Sequence, residues 1–581
     1  MPKSTLRSNL YVDELKFDDM TPKLLNRDNF YLDWPVVYVL SNDKEMYIGE
    51  TYHSEERMKQ HLKNEERRKL KECRIFASKE FTKSSTLDIE SSLIELCASD
   101  NLRYLQNVNP GIVKHNYANK SEFAQDSKMF KAIWDKLTKA GLVHEDIESL
   151  QNKDLFKYSP YKSLNAEQCT CRDYIVEDIL EAFKTNKKKS VVINGSAGTG
   201  KTILALYLLK LLVTGGDYMS EDSESENYPF ITNLKEAIKI KGRNIKVGYV
   251  VAMTSFRSTL QSVIKEIAKT NKKMKSVKII GPSDVAKDYY DVLIVDEAHR
   301  LKQSRALGSE IGNFYKTNEL LGLDKIENNQ LDWIIKQSQI QILFYDSEQT
   351  IKPSDIDREY FEKIINQSDR HYLSSQMRCL GGIDYIEYIK KIINEDKNNE
   401  YISFKDKYDF YLFEDINDFC NEILKKEKEI GLSRIVSGYG FKWISNPKIK
   451  NNVHVNDDDI VIDGRGFQWN KTNNKWPISI SGERVVKEVG CIHTIQGYDC
   501  NYCGVILGPE IYYDGNSIKI DRNKYYDKAG KKELKNDNEL YEYIKNIYLV
   551  LLTRGIKGTY VYACDKKLND YLSKYIKKYK K

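Results

Sequence analysis

Apolar positions along this chain follow two periods, and the changes between them outline its organisation. Near the N-terminus the apolar run Pro35 to Leu40, the polar turn Ser41-Asn42-Asp43-Lys44 and the run Met46 to Ile48 predict a strand hairpin. A helical pattern follows from Ser54 to about Leu70, then a strand at Arg74 to Ala77 and an amphipathic helix from about Ser85 to Cys97. Asn107 to Gly111 reads as a closing turn. Phe123, Phe130, Ile133, Trp134 and Leu137 recur at helical spacing before the Ser159-Pro160 step, which predicts a helical connector.

From residue 164 onward the pattern alternates. Val191 to Asn194, Val247 to Val251, Val277 to Ile280, Val292 to Val295 and Ile340 to Tyr345 are short Val/Ile-rich runs between longer segments of helical period. Such runs fit strands of a parallel sheet covered on both faces. A second set lies at Arg434 to Ser437, Val489 to Cys491, Gly504 to Leu507, Leu549 to Thr553 and Thr559 to Ala563. The expected fold class is therefore α/β, divided as 1–115, a connector at 116–163, and two parallel-sheet domains at 164–370 and 371–581. A chain of 581 residues is too long for one core, which agrees with several domains. Glu221 to Glu226, rich in carboxylates and serines, reads as a surface insertion.

Composition narrows the class. With 41% hydrophobic and 30% charged residues the chain reads as soluble, and its best apolar run, Ile203 to Val213, is short and carries Lys210. The polar N-terminus lacks a signal core, so a cytoplasmic location and no membrane partner are expected. Ten scattered cysteines include the close pairs Cys169/Cys171 and Cys500/Cys503. Without a second pair of ligands they read as reduced, packed thiols, with Cys500 and Cys503 kept as a minor metal candidate. Net charge is only +6, from 91 basic and 85 acidic residues, so basic runs such as the tail from Lys577 read first as solvated surface.

Candidate chemistry changes the picture more. Gly195, Ser196, Ala197, Gly198, Thr199, Gly200, Lys201 and Thr202 lie between a predicted strand and a predicted helix. Glycines there let backbone N–H groups turn inward onto phosphate oxygens at a helix N-terminus. Lys201 would reach the β- and γ-phosphates of ATP, and Thr202 would ligate Mg²⁺. Val292-Leu-Ile-Val-Asp-Glu-Ala-His299 then supplies Asp296 for the metal and Glu297 as catalytic base at a strand's C-terminal end.

With these motifs the chain resembles superfamily 1 helicases, most closely the Schlafen group 3-like DNA/RNA helicase domain, over about Leu164 to Tyr571. Leu164-Asn-Ala-Glu-Gln168 resembles the motif whose glutamine reads adenine, and Asp346-Ser-Glu-Gln349 the one whose glutamine senses the γ-phosphate. Ser375-Gln-Met-Arg378 and Leu552-Thr-Arg554-Gly555 resemble the segments carrying two arginines that reach across the nucleotide cleft. His493 to Tyr498, with Gly504 to Gly508, resembles motif V, and Met253-Thr-Ser-Phe-Arg257 motif Ia. Positive charge delivered by a second domain as the phosphoryl group transfers would couple hydrolysis to closure of the cleft. Thr494, Tyr498 and the Phe256 region would then belong to a nucleic-acid track.

The front segment resembles a GIY-YIG nuclease over about Trp34 to Gly111. Val36-Val-Tyr38 and Tyr47-Ile-Gly49 stand for the signature, with Val36 in place of its first glycine. Glu56-Arg57-Met-Lys-Gln-His61 puts Arg57 and His61 on one helical face, Leu87 to Ile94 carries Glu90, and Gln106-Asn107 closes the pattern. The resemblance implies that Glu90 alone ligates Mg²⁺ (Mn²⁺ may substitute) and that Arg57 clamps the phosphate. It implies further that Tyr38 or Tyr47 is or orients the base, with His61 and Asn107 in support. A tyrosine of ordinary pKa, about 10, is a poor base at neutral pH without such help.

The expected whole is an ATP-dependent DNA helicase or translocase fused to a metal-dependent endonuclease, acting on single-stranded or forked DNA. RNA is not excluded, since no residue reads a 2′-hydroxyl. A role in defence against foreign DNA is an association from fold alone. Two other readings stand beside it: an ATP-gated nucleic-acid sensor, and a translocase whose front domain binds DNA without cutting it.

Overall fold

The computed structural model describes residues 9–26, 32–107, 117–196, 198–215, 229–346, 349, 352–376, 379–405, 407–446, 452–471, 476–495, 498–528, 530–534 and 536–580. They fall into two compact units: residues 1–187, 202–247 and 260–278, and residues 188–201, 248–259 and 279–581. Among the described residues no helix is long and apolar enough to cross a membrane.

The first unit opens on a sheet of β1 (Leu10–Lys16), β2 (Leu32–Ser41), β3 (Glu45–His53), β4 (Glu72–Ser78) and β5 (Tyr104–Leu105), in the order β1-β4-β2-β3-β5. β2 and β3 form the expected antiparallel hairpin, with Tyr38 opposite Gly49, and β4 pairs antiparallel with β2. β1 carries no strand period in sequence: Leu10-Tyr-Val is followed by Asp-Glu-Leu-Lys16 without alternation, and the strand lies at the sheet's edge, paired only with β4. One face buries Phe17, Val36, Leu40, Met58, Leu70, Cys73 and Ile75 as a core. Val36 is fully buried there, a packing position.

Two helices complete this part. Ser54–Lys63 is shorter than the pattern predicts: the Asn64 side chain accepts from the N–H groups of Glu66 and Arg67, stopping the helix before the 3₁₀ turn Arg67–Lys69. Lys83–Asp100 begins at a Thr82/Ser85 capping box. Its Glu95 is buried and accepts from Ser163 N (3.0 Å), Ser163 Oγ (2.7 Å) and Lys162 Nζ (3.1 Å), which ties the connector's end to the front helix. The connector contains the expected helix, Lys128–Lys139, burying Met129, Phe130, Ile133, Trp134 and Leu137.

In the second unit lies a sheet of β6 (Lys189–Gly195), β7 (Val247–Val251), β8 (Lys278–Ile280), β9 (Tyr290–Asp296), β10 (Ser338–Tyr345) and β11 (Asp369–Leu373), in the order β11-β6-β10-β9-β7-β8. β11, β6, β10 and β9 are mutually parallel. A further sheet runs β14-β15-β16-β13-β17-β20-β12-β21, built from β12 (Asp409–Phe413), β13 (Ser433–Ser437), β14 (Ile460–Ile462), β15 (Arg465–Trp469), β16 (Glu488–Cys491), β17 (Cys500–Leu507), β20 (Gly555–Ala563) and β21 (Lys577–Lys578). It is parallel except for the β14–β15 hairpin. The short pair β18 (Ile511–Tyr513) and β19 (Ile518–Ile520) stands apart.

One expected strand is not a strand. Leu549 to Thr553 is the end of the helix Asp537–Leu552, capped by the Asn536 side chain. Leu540, Ile544, Ile547, Tyr548 and Leu551 are buried along it at helical spacing. Five apolar residues at a helix end cannot be told from a buried strand unless the preceding turns are read with them. The cysteines are all free thiols, and no metal-ligating group among the described residues includes Cys500 or Cys503.

Candidate functional site

Two constellations emerge, one in each unit. In the second, β6 ends at Gly195 and the chain turns through the glycine loop into the helix that starts at Lys201. Gly198 and Gly200 hold φ of +86° and +79°, a region that glycine enters without strain. A Cβ at Gly198 would overlap the Gln376 side chain. Thr199 Oγ1 donates to Ser196 O (3.0 Å) across the loop. Lys201 Nζ donates to Gly195 O (2.5 Å) and Ser196 O (3.0 Å) and lies 3.3 Å from Asp346 Oδ2. Thr202 follows in the helix's first turn.

Parallel pairing sets β9 and β10 beside β6, so their C-terminal ends carry the acidic residues to the same edge as the loop. Asp296 is fully buried and accepts from Tyr249 OH (2.9 Å). Glu297 stands at φ +54°, a left-handed conformation uncommon outside glycine. Its Oε2 pairs with His299 Nε2 at 2.9 Å. Burial pushes the Glu297 carboxyl up, but His299, Lys201 and Arg554 outweigh it and hold it well below the usual carboxylate range. Arg554, buried and 3.9 Å from Asp499, thus acts on the same carboxylate as the loop lysine. Gln349 Nε2 donates to Asp346 Oδ2 (2.6 Å), while Gln349 Oε1 and His299 Nδ1 are buried with no hydrogen-bond partner among the described residues. Open glycine backbone, a lysine resting on loop carbonyls and orphaned buried polar atoms fit a polyphosphate with a divalent cation.

Ala197 and Arg378 lie outside the described residues. Gln168 is buried in a capping box with Asn165, its Oε1 accepting from the Asn165 N–H (3.0 Å). Phe256 is core, and Arg257 NH1 turns back onto Val251 O (2.8 Å). Thr494 caps Cys491 through its hydroxyl, and Tyr498 is buried with its hydroxyl against that of Thr259, so neither is presented to a strand of nucleic acid. Tyr249, His299 and Asp346 have no role of their own in the sequence reading, although His299 and Asp346 each stand inside a motif singled out there.

In the first unit Tyr38, Tyr47, Arg57 and His61 converge. Arg57 Nε donates to Tyr38 OH (3.1 Å) and NH2 to Tyr47 OH (3.3 Å). Tyr38 OH and His61 Nε2 are 2.8 Å apart. A guanidinium only donates, so the Tyr38 oxygen accepts from Arg57, and the direction of its contact with His61 Nε2 follows the imidazole tautomer. Burial, with Arg57 and Arg67 nearby, lowers the His61 pKa well below the usual value. Burial raises the Tyr38 phenol well above its ordinary range despite Arg57. A Cβ at Gly49 would overlap the Tyr38 hydroxyl, which is why glycine faces it across the hairpin.

Glu90 is half-buried on Lys83–Asp100, and burial together with the Glu50 carboxylate pushes its pKa up to about 8 against the pull of Arg57 and Lys83. A carboxyl that binds a proton this well suits a site where a cation would take the proton's place. Asn107 is a fastener: Nδ2 donates to Ile48 O (2.7 Å) and Oδ1 accepts from Ile48 N (3.0 Å), pinning β3 between Tyr47 and Gly49. Arg67, not singled out from sequence, stacks over the Tyr47 ring at 4.0 Å and donates to Gln106 Oε1 (2.6 Å). Its place in a basic run gave no signal.

A glycine-loop nucleotide site at the C-terminal edge of a parallel sheet defines the second unit as a P-loop α/β protein. Residues 188–565 match the family Schlafen group 3, DNA/RNA helicase domain, and the chain belongs to that family. It is 27% identical over 458 residues to the uncharacterized protein YPL245W of Saccharomyces cerevisiae, covering 72% of this chain and 92% of the relative. The DEAH/RHA helicase HrpB of Escherichia coli is 10% identical at a TM-score of 0.24, covering 70% of this chain and 44% of its own. A Pif1 helicase from Bacteroides, solved with ADP-AlF3 and ssDNA, is 9% identical at a TM-score of 0.21, covering 57% of this chain and 86% of that one.

Proposed function

We propose that residues 164–581 form an ATP-dependent helicase or translocase of DNA, with RNA as the other candidate strand, and that residues 1–115 form a metal-dependent endonuclease of the GIY-YIG type. The observation that supports the motor best is the ionised Glu297, held by His299, by Lys201 of the loop and by Arg554 from the end of Asp537–Leu552. Family membership agrees with it. ATP with Mg²⁺ supplies the transferable phosphoryl group, the cation being held by Thr202 and Asp296. Glu297 then positions water and accepts its proton, Gln349 reports the γ-phosphate, and Arg554 places positive charge on the phosphoryl as it leaves. Arg378 is assigned the same task by its motif alone, and Gln168 the adenine.

For the front domain the support is the ordered chain from Arg57 through Tyr38 to His61, with Glu90 on the neighbouring helix. Glu90 would hold Mg²⁺ (or Mn²⁺), Arg57 the phosphate, and His61 would take a proton relayed by Tyr38, with Tyr47 orienting Arg57. The experiment is a joint assay of wild type, Lys201→Ala and Glu90→Ala on single-stranded, duplex and forked DNA and on RNA, with and without ATP. Strand-stimulated turnover lost only in Lys201→Ala, and cutting lost only in Glu90→Ala, are expected. Cutting that survives Glu90→Ala removes the nuclease, and turnover that survives Lys201→Ala removes the motor.

A further inference from the structure

The helix Asp537–Leu552, which leads to Arg554, is fastened at its other end by a residue with no assigned role. Arg305 follows Asp296-Glu297 by a few residues. Its Nε donates to Glu533 O (2.8 Å), and NH1 and NH2 each reach a carboxylate oxygen of Glu539 at 3.2 Å. NH2 also donates to Glu533 O. The next residue, Ala306, gives its N–H to Glu533 Oε2 (2.8 Å) and stands at φ +53°, a left-handed conformation that a non-glycine residue keeps only when its surroundings fix it. Both charged side chains of the pair are largely buried, with 18% and 16% exposed. Tyr543, one turn along, donates to Glu539 Oε1 (2.9 Å). Behind them Arg300 pairs with Asp355 at 2.9 Å.

Glu539 lies in the first turn of Asp537–Leu552, and Arg554 two residues past its end. Sixteen helical residues make a rigid rod of about 24 Å. A displacement at Glu539 is therefore carried to Arg554 rather than absorbed on the way. A bidentate arginine–carboxylate pair is the contact best suited to hold such a rod in one register, because the fork fixes direction as well as distance.

We infer that Arg305, Glu533 and Glu539 form a clasp that registers this helix against the segment following Asp296-Glu297 and so sets the reach of Arg554 to the nucleotide. Arg305 is a positioning residue, and the inference rests on the ATP-hydrolysing reading of that site. Releasing the clasp withdraws charge needed late in phosphoryl transfer, so kcat falls while ground-state binding of ATP does not.

The test uses the full chain as wild type, Arg305→Glu, Glu539→Arg and the double swap, read by kcat and KM for ATP and by amide hydrogen exchange over residues 537–545 without nucleotide. Each single change is expected to lower kcat about tenfold with KM within about twofold, and to speed exchange; the double swap recovers most of both. Arg305→Lys keeps the charge but loses the fork, so it gives a smaller change in the same direction, and it decides the matter where a reversal unfolds the chain. Single variants indistinguishable from wild type in both readouts, or a double as impaired as its worse parent, overturn the clasp. Turnover unaffected by Lys201→Ala overturns the nucleotide reading and the clasp with it. Lys201-dependent turnover that ignores the clasp variants overturns the clasp alone.

Discussion

The two constellations hold their key carboxylates in opposite ways. Glu297 of the second unit is buried among His299, Lys201 and Arg554 and is ionised before any ligand arrives. Glu90 of the first unit faces Glu50 and keeps its proton until about pH 8, because burial and like charge outweigh Arg57 and Lys83. Neighbouring cations keep one carboxylate charged, while burial and like charge keep the other protonated, so the same residue type is set in opposite states by its neighbours alone.

That comparison breaks most sharply at Lys201. Lys201→Ala is expected to abolish ATP turnover while circular dichroism and cooperative melting stay as in wild type. Lys201 also helps keep Glu297 ionised, so the variant removes a phosphate ligand and loosens the base together. Arg554→Ala comes next, with kcat lower by about a thousandfold and ADP affinity changed far less. Equal losses in both would make Arg554 a ground-state contact, and the comparison would lose its cationic wall.

In the front unit, metal binding has to displace the Glu90 proton, so its metal affinity should rise with pH up to about 8. Isothermal titration of Mn²⁺ between pH 6 and 9 checks this, and affinity flat across that range would sink the exchange. Glu90→Ala should bind no metal at any pH.

Contiguous motifs made the nucleotide loop, the Asp296-Glu297 strand end and the order of the front-domain residues legible in sequence. Those segments carry their geometry locally, since a strand, a tight glycine turn and a helix start follow within ten residues. What sequence did not show depends on partners far away along the chain. Leu549 to Thr553 reads as a strand by itself, and its helical period shows only when Leu540, Ile544 and Ile547 are read with it. The lowered pKa of His61 follows from burial and from Arg57 and Arg67, and no spacing encodes either. Tyr498 and Thr494 were expected beside nucleic acid, yet their hydroxyls are spent inside the protein. Arg305 meets Glu539 across 234 positions of chain, a separation at which a basic residue looks like any other.

Smaller effects sharpen the front site further. Asn107→Ala leaves the Ile48 N–H and C=O without their buried partners, at a cost of about 1–3 kcal/mol for each group that water cannot reach. Urea unfolding should show the loss, and the Tyr47–Gly49 strand should be the first to exchange its amides.

Glu90→Gln makes the finest distinction, because its effect on stability should grow through one pH window and persist in full above it. The folded-state pKa of Glu90 is raised to about 8 from an ordinary value near 4.5. Between those values the unfolded chain has released a proton that the folded chain keeps, so Glu90 makes stability fall as pH rises through the window. Below it both states are protonated and the glutamine should melt with wild type. At pH 9, without metal, wild type carries the full burden of a half-buried carboxylate beside Glu50, and the uncharged amide should melt higher. Mn²⁺ should raise the wild-type melting temperature at that pH and leave Glu90→Gln unmoved. A glutamine variant no more stable than wild type at pH 9 would mean that Glu90 ionises as freely as Glu297, and the contrast between the two carboxylates would be gone.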